Sequence, residues 1–197
     1  MSSQLRIVAV LATGALPGNS IAAQQPVTLG VVLTAFLADS GVPTRGLPWT
    51  TGNQLPIQWE SAQPVKLPYQ HQQGFTHHRT GKLRLAGAGK TPLAATIEVE
   101  GIAAGIARTA VYFSLGEWPL EAAEKALIAD GLKLSALKCS REKEGASYGN
   151  IVYVVKAPAK TASALWASWD CAQSGCSGGF TILYRRADVS MIECAGA

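Results

Sequence analysis

Residues 93–100 read Leu-Ala-Ala-Thr-Ile-Glu-Val-Glu, a stretch in which, from position 95 onward, apolar side chains alternate with Thr96, Glu98 and Glu100. Successive side chains of a β-strand point to opposite faces of a sheet, so this pattern predicts a strand with one face on the core and one in water. Ile106–Leu115 is a second strand candidate and follows after only five residues. The two segments predict an antiparallel hairpin in the middle of the chain.

Helices are predicted on both sides of this hairpin. Glu117–Asp130 has apolar residues at helical spacing, with Pro119 in its first turn and Gly131 as its stop. The earlier segment Gln24–Leu37 also has helical spacing, and Thr28 is suited to cap it. A strand is the alternative for this earlier segment, because alternate residues near its start are apolar as well.

The remaining segments predict short strands. Five prolines between residues 42 and 90 favour edge strands and long loops over central strands. The extended candidates are Leu55–Glu60, Val65–Tyr69, Lys82–Ala86, Leu132–Cys139, Asn150–Lys156, Ala164–Asp170, Phe180–Arg186 and Ser190–Cys194. Cys171–Gly179 is rich in Gly and Ser and predicts a loop between two of these strands.

Together these elements predict an α+β fold. It consists of an N-terminal helix and Pro-rich β region with a hairpin, then a helix packed on a disulfide-stapled antiparallel sheet. The predicted division is a secretory signal peptide at 1–23, a helix plus Pro-rich β subdomain at 24–115, and a helix plus antiparallel sheet subdomain with four Cys at 116–197. One continuous domain is the alternative.

The N-terminus has the three-part order of a secretory signal peptide. Arg6 is the only charged residue before Asp39, the apolar run Ile7–Leu16 follows it, and the small residues of Ser20–Ala23 precede a cleavage site. A buried first helix or strand is the alternative. We predict a periplasmic or secreted protein, and the sequence has no run of about 18 apolar residues for a stable membrane span.

The net charge gives no reason to expect a polyanionic partner. The chain has 17 Lys plus Arg and 13 Asp plus Glu, for a net charge of +4. Removal of residues 1–23 takes away only Arg6 and leaves +3. We therefore predict no nucleic-acid binding.

The four cysteines predict disulfides. An even number in an exported chain indicates oxidised pairs, although four cysteines allow three pairings. We favour Cys171–Cys176, which closes a short loop, together with Cys139–Cys194. Zinc binding is disfavoured because the spacing is Cys-x4-Cys and no His follows His78.

Two segments are candidate binding surfaces, because aromatic residues, Arg and preorganised loops are common at interfaces. The first is the Cys171–Cys176 loop, with Trp166, Trp169, Gln173 and Ser174 as its candidate contacts. The second is Tyr69–Arg79, whose candidate contacts are Tyr69, His71, Phe75, His77, His78 and Arg79.

Catalytic interpretations have less support. His71, His77 and His78 could serve a hydrolase or a metal site, but a closed metal site needs three or four ligands, and a solvated loop explains them better. Glu98 and Glu100 share a strand face and could form a glycosidase-like pair, but the wet face of an amphipathic strand is the simpler interpretation. The sequence predicts no catalytic residue, no metal and no cofactor.

Pro119–Leu134, which reads Pro-Leu-Glu-Ala-Ala-Glu-Lys-Ala-Leu-Ile-Ala-Asp-Gly-Leu-Lys-Leu, resembles the helix-to-strand start of PASTA modules. Gly149–Val152 and Lys156–Ala159 lie roughly where those modules place a second strand and a Pro turn. The resemblance covers about a fifth of the chain, and the cysteines depart from the pattern. It implies a module that binds cell-wall muropeptides or acts as a spacer.

The Cys171–Cys176 loop is similar to the short disulfide loop that some periplasmic lysozyme inhibitors insert into an enzyme cleft. The residues inside it differ, since no His or acidic side chain is present to mimic substrate. This resemblance implies an inhibitory loop.

The function predicted from these features is an exported, non-enzymatic binding protein, and more specifically a periplasmic inhibitor or immunity protein against an envelope-targeting enzyme. The alternatives are a PASTA-like cell-wall or surface module and an exported hydrolase or metal enzyme that uses the His71/His77/His78 region. The expected partner is another protein or a cell-wall component, and the sequence does not predict an oligomeric state.

Overall fold

One large β-sheet organises the chain. The structure, a computed structural model, describes residues 25–38, 49, 53–66, 74–87, 89–103, 105–139, 148–156, 163–172, 175–184, 189–190 and 192. Its elements in chain order are β1 (Val27–Thr28), α1 (Leu29–Ala38), β2 (Gln58–Trp59), β3 (Gln63–Pro64), β4 (His77–Ala86), β5 (Leu93–Ile102), β6 (Gly105–Ser114), α2 (Leu120–Ala129), β7 (Lys133–Lys138), β8 (Tyr148–Lys156), β9 (Ser163–Ala172) and β10 (Gly175–Leu183). The predicted signal peptide lies outside the described residues.

The strand order places both halves of the chain in the same sheet. The main path runs β1-β4-β5-β6-β10-β9-β8-β7, and β2 and β3 also pair with β4. The pairing of β1 with β4 is parallel, whereas the other described pairings are antiparallel. The result is a ten-stranded mixed sheet.

Two similar arrangements meet at the centre of this sheet. α1 precedes the meander β4-β5-β6, and α2 precedes the meander β7-β8-β9-β10. The last strand of each meander pairs with the other, from Arg108 opposite Leu183 to Ser114 opposite Ser177. Residues 115–119 connect β6 to α2, and the boundary that the sequence suggests between residues 115 and 116 falls in this connection.

The predicted α+β fold class is wrong. Strands make up 55% and helices 18% of the described chain, and the two described helices accompany one large mixed sheet. Local patterns identify helices and strands one at a time. They do not show that β6 pairs with β10, which lies far along the chain, and this pairing joins the two predicted regions.

Both helices pack on the same face of the sheet, called the helix face below. α1 contributes four fully buried side chains to the main core, and α2 contributes Ala123 and Leu127. The sheet supplies, among others, Leu83, Ile97, Val111, Phe113, Leu165, Phe180 and Ile182. Burial of each large apolar side chain contributes about 1.5–3 kcal/mol, so this shared core is the main stabilising contact between the halves.

The local predictions for the helices and the central hairpin are confirmed. α1 overlaps the segment predicted to be helical, although residues 27–28 of that segment form β1, and Thr28 Oγ1 accepts a 3.3 Å hydrogen bond from the Val31 N–H in the first turn of α1. α2 begins directly after Pro119 and ends before Gly131. β5 and β6 form the predicted antiparallel hairpin.

Several predicted loop residues belong to strands. Residues 77–79 form the start of β4, and residues 175–179 form the start of β10. In β10 the glycines allow a close approach of strands, because a Cβ at Gly179 would collide with the backbone oxygen of Val111. Ser190, predicted to begin a strand, instead has helical geometry.

Candidate binding site

The tip of the β9–β10 hairpin extends beyond the neighbouring strands. The β9–β8 ladder ends at the pair Asp170–Tyr148, and the β10–β6 ladder ends at the pair Ser177–Ser114. Residues 171–172 and 175–176, called the pinned tip below, lie beyond both ladders. Within the part of the chain that the structure describes, the hairpin therefore continues past the ends of both ladders.

A disulfide closes the pinned tip. Cys171 and Cys176 face each other across the β9–β10 ladder and form the bond that the sequence predicts. The Leu115 N–H donates a 3.0 Å hydrogen bond to the Cys176 carbonyl, which holds the base of the tip against the end of β6. Ala172 and Gly175 are exposed. Two of the predicted contacts, Gln173 and Ser174, lie outside the described residues.

The second predicted disulfide, Cys139–Cys194, stays a prediction. Cys139, directly after β7, is disulfide-bonded, whereas Cys194 lies outside the described residues. Disulfides persist in oxidising compartments. The Cys171–Cys176 bond is consistent with a location outside the cytoplasm.

The sequence predicts Trp166 and Trp169 as contacts of the tip. The two residues are three positions apart on one strand, so they point to opposite faces of the sheet. Trp169 lies on the helix face, where it covers Gly149 of β8 and packs against the main core. Trp166 lies on the opposite face, called the far face below, and packs on a small apolar cluster that includes Val152 and Leu183. The structure does not bring the two tryptophans together.

Part of the second predicted surface is also buried. Tyr69 and His71 lie outside the described residues. Phe75 is 2% exposed, and the guanidinium carbon of Arg108 lies 5.5 Å from its ring centroid. Phe75 is therefore a packing residue beside the sheet.

The next three predicted contacts follow the alternation of β4. His77 and Arg79 lie on the helix-face side of the strand, and His78 lies on the far face, opposite Glu100 of β5. His77 Nδ1 is 2.9 Å from the hydroxyl oxygen of Thr76. Because His77 and His78 point away from each other, this part of the chain does not bring them to one site.

Arg79 holds the segment that precedes β4. Its Nε donates to the Glu60 carbonyl at 3.0 Å, and Nη1 donates to the Trp49 carbonyl at 2.8 Å. The guanidinium carbon also lies 4.5 Å from the ring centroid of Trp59, within the range of a cation–π contact. These contacts are internal to the fold.

A charged cluster on the far face was not predicted from the sequence. Glu100 forms an ion pair with Arg108 of β6, and the Glu100 side chain is only 4% exposed. His78 faces Glu100 from the strand on the other side. The interpretation of Glu100 as a water-facing residue is therefore wrong. The predicted hairpin contained a signal for this ion pair, because its register places Arg108 opposite Glu100.

Two pKa values in and beside this cluster are raised, chiefly by burial. Burial raises the pKa of the Glu98 carboxyl and the negative charge of Glu100 raises it further, while Arg108 and His78 oppose the rise. Burial also raises the pKa of the Tyr112 hydroxyl, and the charge of Glu98 adds to this effect. Glu98 and Glu100 thus have different environments, one partly desolvated and one paired with a cation.

Metal sites and membrane-spanning helices were both sought among the described residues. No three His, Cys, Asp or Glu side chains among them converge as a metal site would require. In the same part of the chain, no helix has both the length and the apolar character needed to cross a bilayer.

Comparison with known proteins found no matching family model, no matching curated protein and no matching solved structure. The functional proposal therefore depends on the residues and geometry of this chain.

Proposed function

We propose that this chain is an exported, non-enzymatic binding protein that contacts its partner with the pinned tip. The observation that carries the proposal is the position of residues 171–172 and 175–176, which lie beyond the ladders with β8 and β6 and are joined by the Cys171–Cys176 disulfide.

The physical advantage of this arrangement is preorganisation. A flexible loop loses conformational entropy when it binds, and a covalent closure removes much of that loss in advance. Ala172 and Gly175 are exposed, and because Ala172 carries only a methyl group and Gly175 has no side chain, their backbone is accessible to a partner. The rest of the sheet holds the tip through the Leu115–Cys176 hydrogen bond.

The proposed location is the periplasm or the extracellular medium. Its support is the signal-like N-terminal sequence together with the disulfides, which oxidising compartments maintain. The proposed partner is another protein or a cell-wall component. The resemblance of the Cys171–Cys176 loop to the loop of periplasmic lysozyme inhibitors favours an envelope-targeting enzyme, and the chain would then act as an inhibitor or immunity protein.

Site-specific photo-crosslinking tests this proposal. Ala172 is replaced by p-benzoylphenylalanine, and the matched control carries the same group at Thr34, an exposed position on α1. After irradiation in an envelope extract of the source organism, we expect one major cross-linked product at position 172 and none at position 34. Addition of the purified chain should then inhibit the identified enzyme stoichiometrically.

The disulfide provides a second arm of the experiment. The double variant Cys171→Ser/Cys176→Ser frees the tip and should weaken binding about tenfold, because ordering a flexible loop costs on the order of 1 kcal/mol or more. Equal cross-linking at positions 172 and 34 would contradict the proposal. Cosedimentation with purified peptidoglycan, without any protein adduct at position 172, would favour the cell-wall alternative.

A further inference from the structure

The far face of the sheet carries a small apolar cluster that lies away from both helices. Its buried members on the strands are Val152 of β8, Ala164 of β9 and Leu183 of β10. Their exposed fractions are 0%, 7% and 4%. Because α1 and α2 pack on the helix face, another part of the chain must exclude water from these side chains.

That cover comes from the chain that follows β10. Ile192 belongs to the same cluster and is only 8% exposed, and Val189 packs against the cluster as well. The Ile192 N–H donates a 3.3 Å hydrogen bond to the Val189 carbonyl, so the two residues belong to one turn. Ser190, between them, is exposed. The turn therefore places its apolar side chains on the sheet and leaves Ser190 at the surface.

Cys139 reaches the same cluster from the outermost strand. It directly follows β7 and packs against the cluster. Its φ of 65° lies in the left-handed region, which is uncommon for a residue with a side chain. Such a backbone conformation persists where the surrounding contacts hold it. Cys139 is therefore held at the cluster against the preference of its own backbone.

The bonding partner of Cys139 follows from the other cysteines. Cys139 is disulfide-bonded, and no described cysteine has a free thiol. Cys171 and Cys176 are bonded to each other, which leaves Cys194 as the remaining cysteine of the chain. Cys194 is two positions after Ile192, and two residues of extended chain reach about 7 Å. Because Ile192 and Cys139 pack on one cluster, this reach is enough for a disulfide, whose Cα atoms lie about 4.4–6.8 Å apart.

We propose that residues 189–194 form a strap that docks on this apolar cluster and is fastened by a disulfide between Cys139 and Cys194. The bond closes a loop that contains β8, β9, β10 and the pinned tip. It joins the outermost strand to the chain that leaves β10, and it restricts the unfolded form of this whole region. The contacts of the strap are separate from those of the pinned tip.

The strap is a redox-sensitive cover for the cluster. A dithiol reductant opens it by thiol–disulfide exchange, in which two electrons and two protons pass to the protein. Cys139 and Cys194 become thiols, and the dithiol becomes a disulfide. The strap then loses its covalent attachment, and the apolar cluster is exposed to water more often.

Peptide mapping of the unmodified, unreduced chain tests the bond directly. After alkylation, trypsin releases Cys139 in the fragment 139–141 and Cys194 in the fragment 187–197. The other two cysteines stay together in the fragment 161–185. Mass spectrometry should find the first two fragments linked, and reduction should separate them. An alkylated Cys139, its linkage to the fragment 161–185, or a link between two chains on a non-reducing gel would overturn the proposal.

Two double variants test the redox response of the strap. Cys171→Ser/Cys176→Ser keeps the proposed strap bond, and the matched control Cys139→Ser/Cys194→Ser keeps the short bond of the tip. Dithiothreitol should lower the melting temperature of the first variant by about 5 °C or more and that of the control by less, because the strap bond closes the longer loop. Binding of anilinonaphthalene sulfonate, a dye for apolar surface, should rise about twofold or more in the first variant alone. Equal responses of the two variants would overturn the proposal.

A single substitution tests the docking of the strap in the disulfide-bonded chain. Ile192→Ser should lower the melting temperature by at least about 2–4 °C, because it removes a buried apolar side chain. The matched control is Ile102→Ser, the same substitution at a side chain that is 48% exposed, and its effect should be smaller. Equal melting temperatures for the two variants would show that Ile192 does not dock on the sheet and would overturn the proposal.

Discussion

The backbone N–H of Gly30, in the first turn of α1, donates a 3.1 Å hydrogen bond to Oδ2 of Asp130, at the C-terminal end of α2. The two residues are 100 positions apart. A carboxylate is unfavourable at the C-terminus of its own helix but favourable at the N-terminus of another, because of the direction of the helix dipole. Asp130 thus interacts favourably with α1, and the bond joins the two halves of the chain.

Gly30→Ala should destabilise the protein by about 1–3 kcal/mol, because a Cβ at this position would collide with the side chain of Asp130. Thermal denaturation followed by circular dichroism measures this, and the melting temperature should fall by at least about 2–4 °C. Gly116→Ala is the matched control, since a Cβ there meets only the Ser114 hydroxyl, at 3.7 Å. Equal melting temperatures for the two variants would show that Gly30 and Asp130 are not in close contact.

Glu98→Gln should stabilise the protein at neutral pH. Burial raises the pKa of Glu98 in the folded state, so the folded chain binds this proton more tightly than the unfolded chain does. Stability then falls as the pH rises from the unfolded pKa of about 4.3 through the raised value. Because the group is partly exposed, we expect a gain of about 1 kcal/mol or less at pH 7.

The pH profile distinguishes this origin from a simple packing effect. The difference between Glu98→Gln and the unmodified chain should shrink to nearly zero below about pH 4, where both states are protonated. Glu117→Gln, which removes one carboxylate at an exposed position, is the matched control. A constant difference between the melting temperatures at pH 4 and pH 7 would rule out the linkage.

Arg108→Met should destabilise the protein by about 3–5 kcal/mol, because it leaves the buried carboxylate of Glu100 without its cation. The double variant Glu100→Gln/Arg108→Met should recover much of that loss, since it removes both charges. Urea denaturation of Arg108→Met, of Glu100→Gln and of the double variant gives the coupling energy. Additive losses would indicate that the ion pair contributes nothing to stability.

Trp169→Ala should lower stability by about 2 kcal/mol or more, because its ring packs against the main core and covers Gly149. Ala172→Ser, at the exposed tip, should leave the melting temperature unchanged. The two variants distinguish a residue that stabilises the hairpin, Trp169, from a residue of its proposed contact surface, Ala172. Equal melting temperatures for Trp169→Ala and the unmodified chain would show that the ring does not pack in the core.

The sequence predicted those parts of the fold that depend on neighbouring residues. Helical spacing and capping signals identified α1 and α2, and alternation identified β5 and β6. The Cys171–Cys176 bond also followed from the sequence, because its two cysteines are close in the chain. Of the candidate site, the position of the pinned tip could be predicted, but its projection beyond β8 and β6 could not.

Where sequence reasoning failed, long-range contacts override local patterns. Glycine-rich residues of β10 indicated a loop, yet Gly179 is required because the β6 backbone passes too close for a side chain. The alternation of β5 predicted a solvent-exposed Glu100. In the structure Arg108 pairs with Glu100 across the hairpin, and this ion pair permits its burial.

The sequence by itself determined the local helices, the central hairpin and the nearest disulfide of this protein, because the energies that favour them act between residues close in the chain. Only the tertiary structure decided that β6 and β10 join two helix-and-meander halves into one sheet. That pairing depends on burying the apolar faces of both halves in one core, and this free energy is a property of the whole assembled sheet.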